Sequence, residues 1–144
     1  MFYIGFVTGP RVDEDGWPHA EGEIVLGGFR EGFQADLRFW DMPAYETQWR
    51  QAILRLVGGV PATALVTSYR GPGGAYHFTW PMWREGSTVH VQERIMFADQ
   101  LGSAFDPQSP DEHVGDHAPV NAEGEALSEW HVPLGELATF TLAE

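Results

Sequence analysis

Apolar and polar positions change their period several times along this chain, and each change marks an element. Residues 2–8, Phe-Tyr-Ile-Gly-Phe-Val-Thr, are almost continuously apolar and β-prone, which predicts a first strand. A polar loop leads to Glu-Ile-Val-Leu-Gly-Gly-Phe (23–29) and Phe-Gln-Ala-Asp-Leu-Arg-Phe-Trp (33–40), two more strands. In the second of these, Phe33, Ala35, Leu37 and Phe39 alternate with Gln34, Asp36 and Arg38, the period of a half-buried strand. Their connector is expected at Arg30-Glu31-Gly32, where a glycine can supply a positive φ.

The period then lengthens. Over 43–57, Tyr45, Trp49, Ala52, Ile53 and Leu56 fall on one face at helical spacing. Asp41 is placed to cap this helix and Pro43 suits its first turn; Gly58-Gly59 ends it and Pro61 prevents a restart. Strand patterning resumes at 63–69, 75–83 and 87–97. In the last, Val89, Val91, Ile95 and Phe97 share one face and His90, Gln92 and Arg94 the other. A second Arg-Glu-Gly, 84–86, reads as another hairpin.

From Ala98 to about Glu125 periodicity stops. Pro107, Pro110 and Pro119, with Gly102, Gly115 and Gly124, forbid a long element. A loop of this length in a compact domain is functional or disordered. Residues 126–132 form a final strand, followed by a short turn or helical piece near Pro133–Leu137. The pattern predicts one α+β domain over 1–144: a mainly antiparallel β-sheet with one main α-helix packed on one face. The helix lies between the third and fourth strands, so one parallel pair is possible. Trp49 and Trp80 follow core parities.

Charge narrows the range of partners. The chain has 21 acids against 8 basic residues, all arginine, for a net charge of −13. Residues 95–144 hold ten acids and no Lys or Arg, so this part alone is near −10. Such a field repels nucleic acid and anionic membrane and attracts basic proteins. The absence of cysteine excludes disulfides, thiolate-bound zinc and cysteine nucleophiles. No signal peptide is visible and no stretch approaches the roughly 18 apolar residues that span a bilayer, so a cytoplasmic location is expected.

Candidate chemistry is sparse. Asp-Glu-His-Val-Gly-Asp-His at 111–117 sets two histidines four apart among three carboxylates. On a helix that spacing can share a metal, as in His-Glu-x-x-His. Here Gly115, Pro110 and Pro119 remove the helix, so a solvated acidic loop is expected and no metal is assigned. No serine stands in a nucleophile motif. A small hydrolase pairing His77 or His90 with a carboxylate is the alternative, and a structural role for both histidines is the expected outcome. Gly-Pro-Gly-Gly at 71–74 precedes a strand and reads as a turn, not a phosphate cradle.

Spaced patches carry a family likeness. They are Gly-Glu-Ile-Val-Leu-Gly-Gly-Phe-Arg-Glu-Gly-Phe-Gln-Ala-Asp-Leu-Arg-Phe-Trp at 22–40, Tyr-Glu-Thr-Gln-Trp-Arg-Gln-Ala-Ile-Leu-Arg-Leu at 45–56, Ala-Leu-Val-Thr-Ser-Tyr at 64–69 and Ala-Leu-Ser-Glu-Trp-His-Val-Pro-Leu at 126–134. In these the chain resembles the immunity proteins of contact-dependent growth inhibition and related polymorphic toxin systems. Residues 13–21 and 98–125 match no pattern of the family.

The resemblance implies a stand-alone cytoplasmic antidote that binds the C-terminal domain of a delivered toxin, commonly a nuclease, and covers its active site. It implies no catalysis, no cofactor and no fixed catalytic residues. The charge agrees, since nucleases present basic surfaces. The acidic binding face is expected at Asp106, Asp111, Glu112, Asp116, Glu123, Glu125 and Glu129. The partner is a basic toxin domain, with no nucleic acid or membrane, and the chain itself is a monomer or weak dimer. An acidic ligand- or metal-binding module built on 111–117 is a further alternative.

Overall fold

The structure, a computed structural model, describes residues 1–142. It contains two antiparallel sheets and two helices. The first sheet is built on β3 (Pro18–Leu26), which carries β1 (Phe2–Phe6) and the short β2 (Arg11–Val12) on one edge and β4 (Phe29–Asp36) on the other. The second runs β5 (Ala62–Ser68), β6 (Tyr76–Glu85), then β7 (Thr88–Gln92) with β8 (Arg94–Phe97), and finally β9 (Glu129–Pro133) on β7. The α+β architecture with a main helix is therefore as the pattern predicts. The possible parallel pair does not form among the described strands: every pairing is antiparallel.

Two local expectations are corrected. Arg30-Glu31-Gly32 is not the connector but lies inside β4, opposite Val25, Ile24 and Glu23. The turn falls at Gly27-Gly28, where Gly27 holds φ +65° and so takes the left-handed step that an L side chain resists. The strand expected over 33–40 stops at Asp36, because Asp36 accepts from the Arg38 backbone and side chain and so turns the chain away from the sheet. The 87–97 strand does keep one register along β6, with Met82 opposite Val91 and Thr79 opposite Arg94. It is interrupted at Glu93, beside the stretch where Pro81 has no N–H to give the ladder.

Helix α1 (Met42–Val57) begins as expected, with Asp41 Oδ1 accepting from Ala44 N at 2.9 Å. At its other end the Arg84 guanidinium donates to the Leu56 and Val57 carbonyls, both at 3.0 Å, a cation on the negative end of the helix dipole. Tyr45, Trp49, Ala52, Ile53 and Leu56 are buried, and Gln48 is buried with them. They pack against Ile4, Ile24 and Ala35 of the first sheet and Leu65, Trp80, Met82, Val89 and Val91 of the second. Trp49 and Trp80 are core residues, as predicted. The terminal piece is a second helix, α2 (Leu134–Leu142), whose Leu137 joins the same core.

The buried glutamine has a specific task. β5 is the edge of its sheet, and its outward backbone groups face the helix instead of water. Gln48 Nε2 donates to Ala64 O at 2.8 Å and its Oε1 accepts from Val66 N at 2.9 Å, while Trp49 Nε1 donates to Val66 O at 2.7 Å. Leucine at 48 would keep the volume and leave a buried N–H and C=O unpaired, at about 1–3 kcal/mol each. Gln48→Leu is expected to lower unfolding free energy by roughly 2–4 kcal/mol, read as a lower urea midpoint at unchanged m-value. A loss below about 0.5 kcal/mol would contradict this account.

Candidate functional site

The functional features converge on the outer face of the second sheet. Alternation along the strands decides what that face holds. In β7, Val89 and Val91 point to the core, so His90 and Gln92 point outward. Trp83 lies opposite His90 on β6, and His131 lies opposite it on β9. Met96 and His77 form the corresponding outward pair at the other end.

The long segment over 98–125 covers this face. It is an ordered strap with 3₁₀ turns at Ala98–Gln100 and Pro110–His113. Val114 and Pro110 are buried, and Val114 packs with Ala64, Trp83 and Met96 in a second small core. Outward side chains of the sheet hold the strap by its carbonyls. Trp83 Nε1 donates to Gly115 O at 2.9 Å, Arg94 to Val114 O at 2.8 Å and Gln92 Nε2 to Ala118 O at 2.9 Å. Arg55 of α1 grips both oxygens of Asp111 at 3.1 Å. Gly115, at φ +72°, takes the strap out of a helical path between His113 and His117.

Strap and sheet meet at a cluster of four ionisable side chains. The His117 ring stacks on His90 with centroids 4.4 Å apart, and His131 meets His90 edge-on at 4.7 Å. Glu129 sits among them. Its Oε1 bonds His117 Nε2 and accepts from Gln92 Nε2 at 2.9 Å; its Oε2 lies 2.8 Å from His131 Nε2 and 3.3 Å from His90 Nδ1. Burial alone would raise the Glu129 carboxyl, but its hydrogen bonds to His117, Gln92 and His131 prevail and hold it at about 2. Both His90 ring nitrogens are buried without a hydrogen-bond partner.

The seven acids predicted for a binding face divide into two groups. Asp106, Glu112, Asp116, Glu123 and Glu125 are exposed. Glu123 and Glu125 stand on a small hairpin, closed by a Val120–Ala126 bridge and by Asn121 Oδ1 accepting from their backbone N–H groups. Asp111 and Glu129 are partly buried and engaged, the first with Arg55 and the second with the histidines. Of the eight arginines, Arg55, Arg84 and Arg94 are partly buried and bonded to Asp111, the α1 terminus and the strap, and the exposed Arg38 is paired with buried Asp36. Half of the positive charge is thus engaged by groups of the fold itself.

His90 has a carboxylate neighbour in Glu129, but the two candidate histidines do not converge on one site. His77 and His90 lie at opposite ends of one face: His90 pairs with Trp83, six residues along β6 from His77, which is roughly 20 Å. His77 is buried against Phe105, with ring centroids 4.3 Å apart, and its Nδ1 accepts from Arg70 N at 3.1 Å. His113 turns away from His117 toward Phe105. The entry of His131 into the cluster was not anticipated from the sequence. The period of two did carry a signal, because Glu129 with His131 and His90 with Gln92 are i,i+2 pairs on adjacent strands.

Three comparisons with known proteins follow from this fold. The family model described as the CdiI N-terminal domain matches residues 35–140. The immunity protein CdiI of Enterobacter cloacae is 26% identical over 141 residues, which is 97% of this chain and 96% of that protein. Among solved structures, the CdiA-CT/CdiI toxin and immunity complex from Enterobacter cloacae matches with a TM-score of 0.89 at 24% identity, covering 99% of this chain and 97% of that one.

Burial, reinforced by the Arg70 charge, pushes His77 down to about 4 from its ordinary 6.5. The folded protein therefore keeps His77 neutral while the unfolded chain takes up a proton below about 6.5. Stability from this group is full above pH 6.5, falls as pH drops toward 4 and levels off below that, by roughly 2–3 kcal/mol in all. His77→Asn retains an acceptor for Arg70 N–H and cannot titrate. Denaturation at pH 7.5, 5.5 and 4.5 should show the variant losing less stability than the parent across that window; parallel losses would exclude His77 as the source.

Proposed function

The chain belongs to the CdiI N-terminal domain family, and from that premise we propose that it neutralises the toxin domain of a cognate CdiA-type effector by binding it in the cytoplasm. The observation that carries this reading is the near end-to-end match with an immunity protein, 97% of one chain against 96% of the other. The action is stoichiometric binding, not catalysis. Among the described residues no helix is long and apolar enough to cross a membrane.

The toxin in this reading is a basic nuclease, and the immunity protein occludes its active site. Support comes from charge: −13 overall, with four arginines engaged internally. The binding face is the strap. Asp106, Glu112, Asp116, Glu123 and Glu125 meet the toxin directly, while Asp111 and Glu129 hold the strap in position and add to its field. Acids displayed on a fixed surface steer a basic partner and fix its orientation. A chain of this kind acts as a monomer or weak dimer, because its acidic faces repel one another.

The test is co-expression with the toxin domain encoded beside this gene. Growth rescue and a stable 1:1 complex are expected. Replacing Asp106, Asp116, Glu123 and Glu125 together by lysine should slow association by about tenfold or more and flatten its salt dependence, with thermal stability little changed because all four are exposed. Unchanged association would move the interface off the strap. Neither binding nor rescue by the parent protein would refute the immunity reading itself.

A further inference from the structure

The His90, His117 and Glu129 cluster satisfies a requirement that an acidic surface does not impose. Their ligand atoms, two imidazole nitrogens and a carboxylate oxygen, all lie within 4.8 Å of one another. A tetrahedral Zn²⁺ holds nitrogen and oxygen at about 2.0–2.2 Å, which sets ligand atoms about 3.3 Å apart. His90 Nδ1 and Glu129 Oε2 already stand at 3.3 Å. We propose that these three side chains form a zinc site that pins the strap to the sheet, with the fourth position left to solvent.

The donor set specifies the metal class. Imidazole with a single carboxylate suits zinc and neighbouring transition ions, whereas calcium and magnesium take oxygen ligands. A chain without cysteine has only this kind of set to offer zinc. The buried His90 nitrogens, without hydrogen-bond partners, gain one when an ion enters. An outer shell is present as well: Gln92 Nε2 donates both to Glu129 Oε1 and to Ala118 O, each at 2.9 Å, and so orients the ligating carboxylate from the strap side. His131 Nε2, 2.8 Å from Glu129 Oε2, stands on the open side of the cluster, 57% exposed, where an ion enters.

The ligands come from three separate parts of the chain: β7, the strap and β9. The site therefore differs from the His113/His117 pair of the sequence motif, of which it uses His117 alone. Its role is structural. The ion would fix His117, and with it the strap between its buried Val114 and its acidic hairpin.

Tag-free protein stripped with a chelator is titrated with ZnCl₂ alone by calorimetry. One equivalent should bind, and the thermal midpoint should rise by about 5 °C or more at saturating metal, with MgCl₂ and CaCl₂ giving no shift. Co²⁺ should give the intense visible absorption of a four-coordinate ion. His117→Gln and Glu129→Gln should lose stoichiometric uptake, each weakening zinc at least tenfold, while His113→Gln binds as the parent does. No zinc uptake by the parent, or parental affinity in His117→Gln, would overturn the site. Should Glu129→Gln fail to fold by circular dichroism, the parent's cobalt spectrum and the two histidine variants still decide it.

Discussion

An open β-edge buried beneath a helix is the constraint on which the remaining structure depends. β5 has a partner strand on one side only, and its other side faces α1. In a dry interior each unpaired backbone group destabilises the fold. The helix resolves this with side chains that imitate a neighbouring strand, Gln48 and Trp49 bonding Ala64 and Val66. Tyr45 adds a bridge between the sheets, donating to Asp36 O at 2.6 Å and accepting from Tyr69 N at 2.9 Å. Burial raises the Tyr45 hydroxyl well above its ordinary range, so it stays a donor at any physiological pH. These bonds fix the rotation of α1 about its axis, which dispersion contacts alone specify poorly.

Once α1 and the sheet are locked together, the second sheet becomes a rigid base with two different faces. One closes the main core. The other presents Trp83, Gln92 and Arg94 as donors at fixed spacing, and the strap lies across them through its own carbonyls. A segment with no regular backbone bonding is thereby satisfied group by group from below. The acids it carries are displayed on a surface set by strands, with Arg55 pairing Asp111 and Arg94 held beneath on the Val114 carbonyl. Charge asymmetry in the sequence becomes a directed field only through this placement.

Much of this was legible in the sequence, because it rests on local periodicity and capping. Asp41, Pro43 and Gly58 bracket α1 within a residue of its ends, and the alternation over 87–97 assigned both faces correctly. The first Arg-Glu-Gly misled for a physical reason. Gly27-Gly28 and Gly32 can both turn a chain, and only the pairing of Ile24 with Glu31 decides between them. The histidine cluster was legible only in part, for a different reason. His90, His117 and Glu129 meet because β9 adds to β7 and the strap folds back across both, and no spacing within one segment encodes that. Glu129 was read as a surface acid, when strand parity alone turns it toward His90.

The strap's anchoring has a consequence for how such a protein can diversify. The described contacts to the sheet and helix end at Ala118 and resume at Glu129. The residues between form a small hairpin that carries Glu123 and Glu125 and belongs to neither hydrophobic core. Substitutions there meet no packing constraint beyond the hairpin's own turn. A lineage could rewrite this tip freely while the scaffold beneath it stays under folding selection, so that a new surface arises at no structural penalty to the old frame.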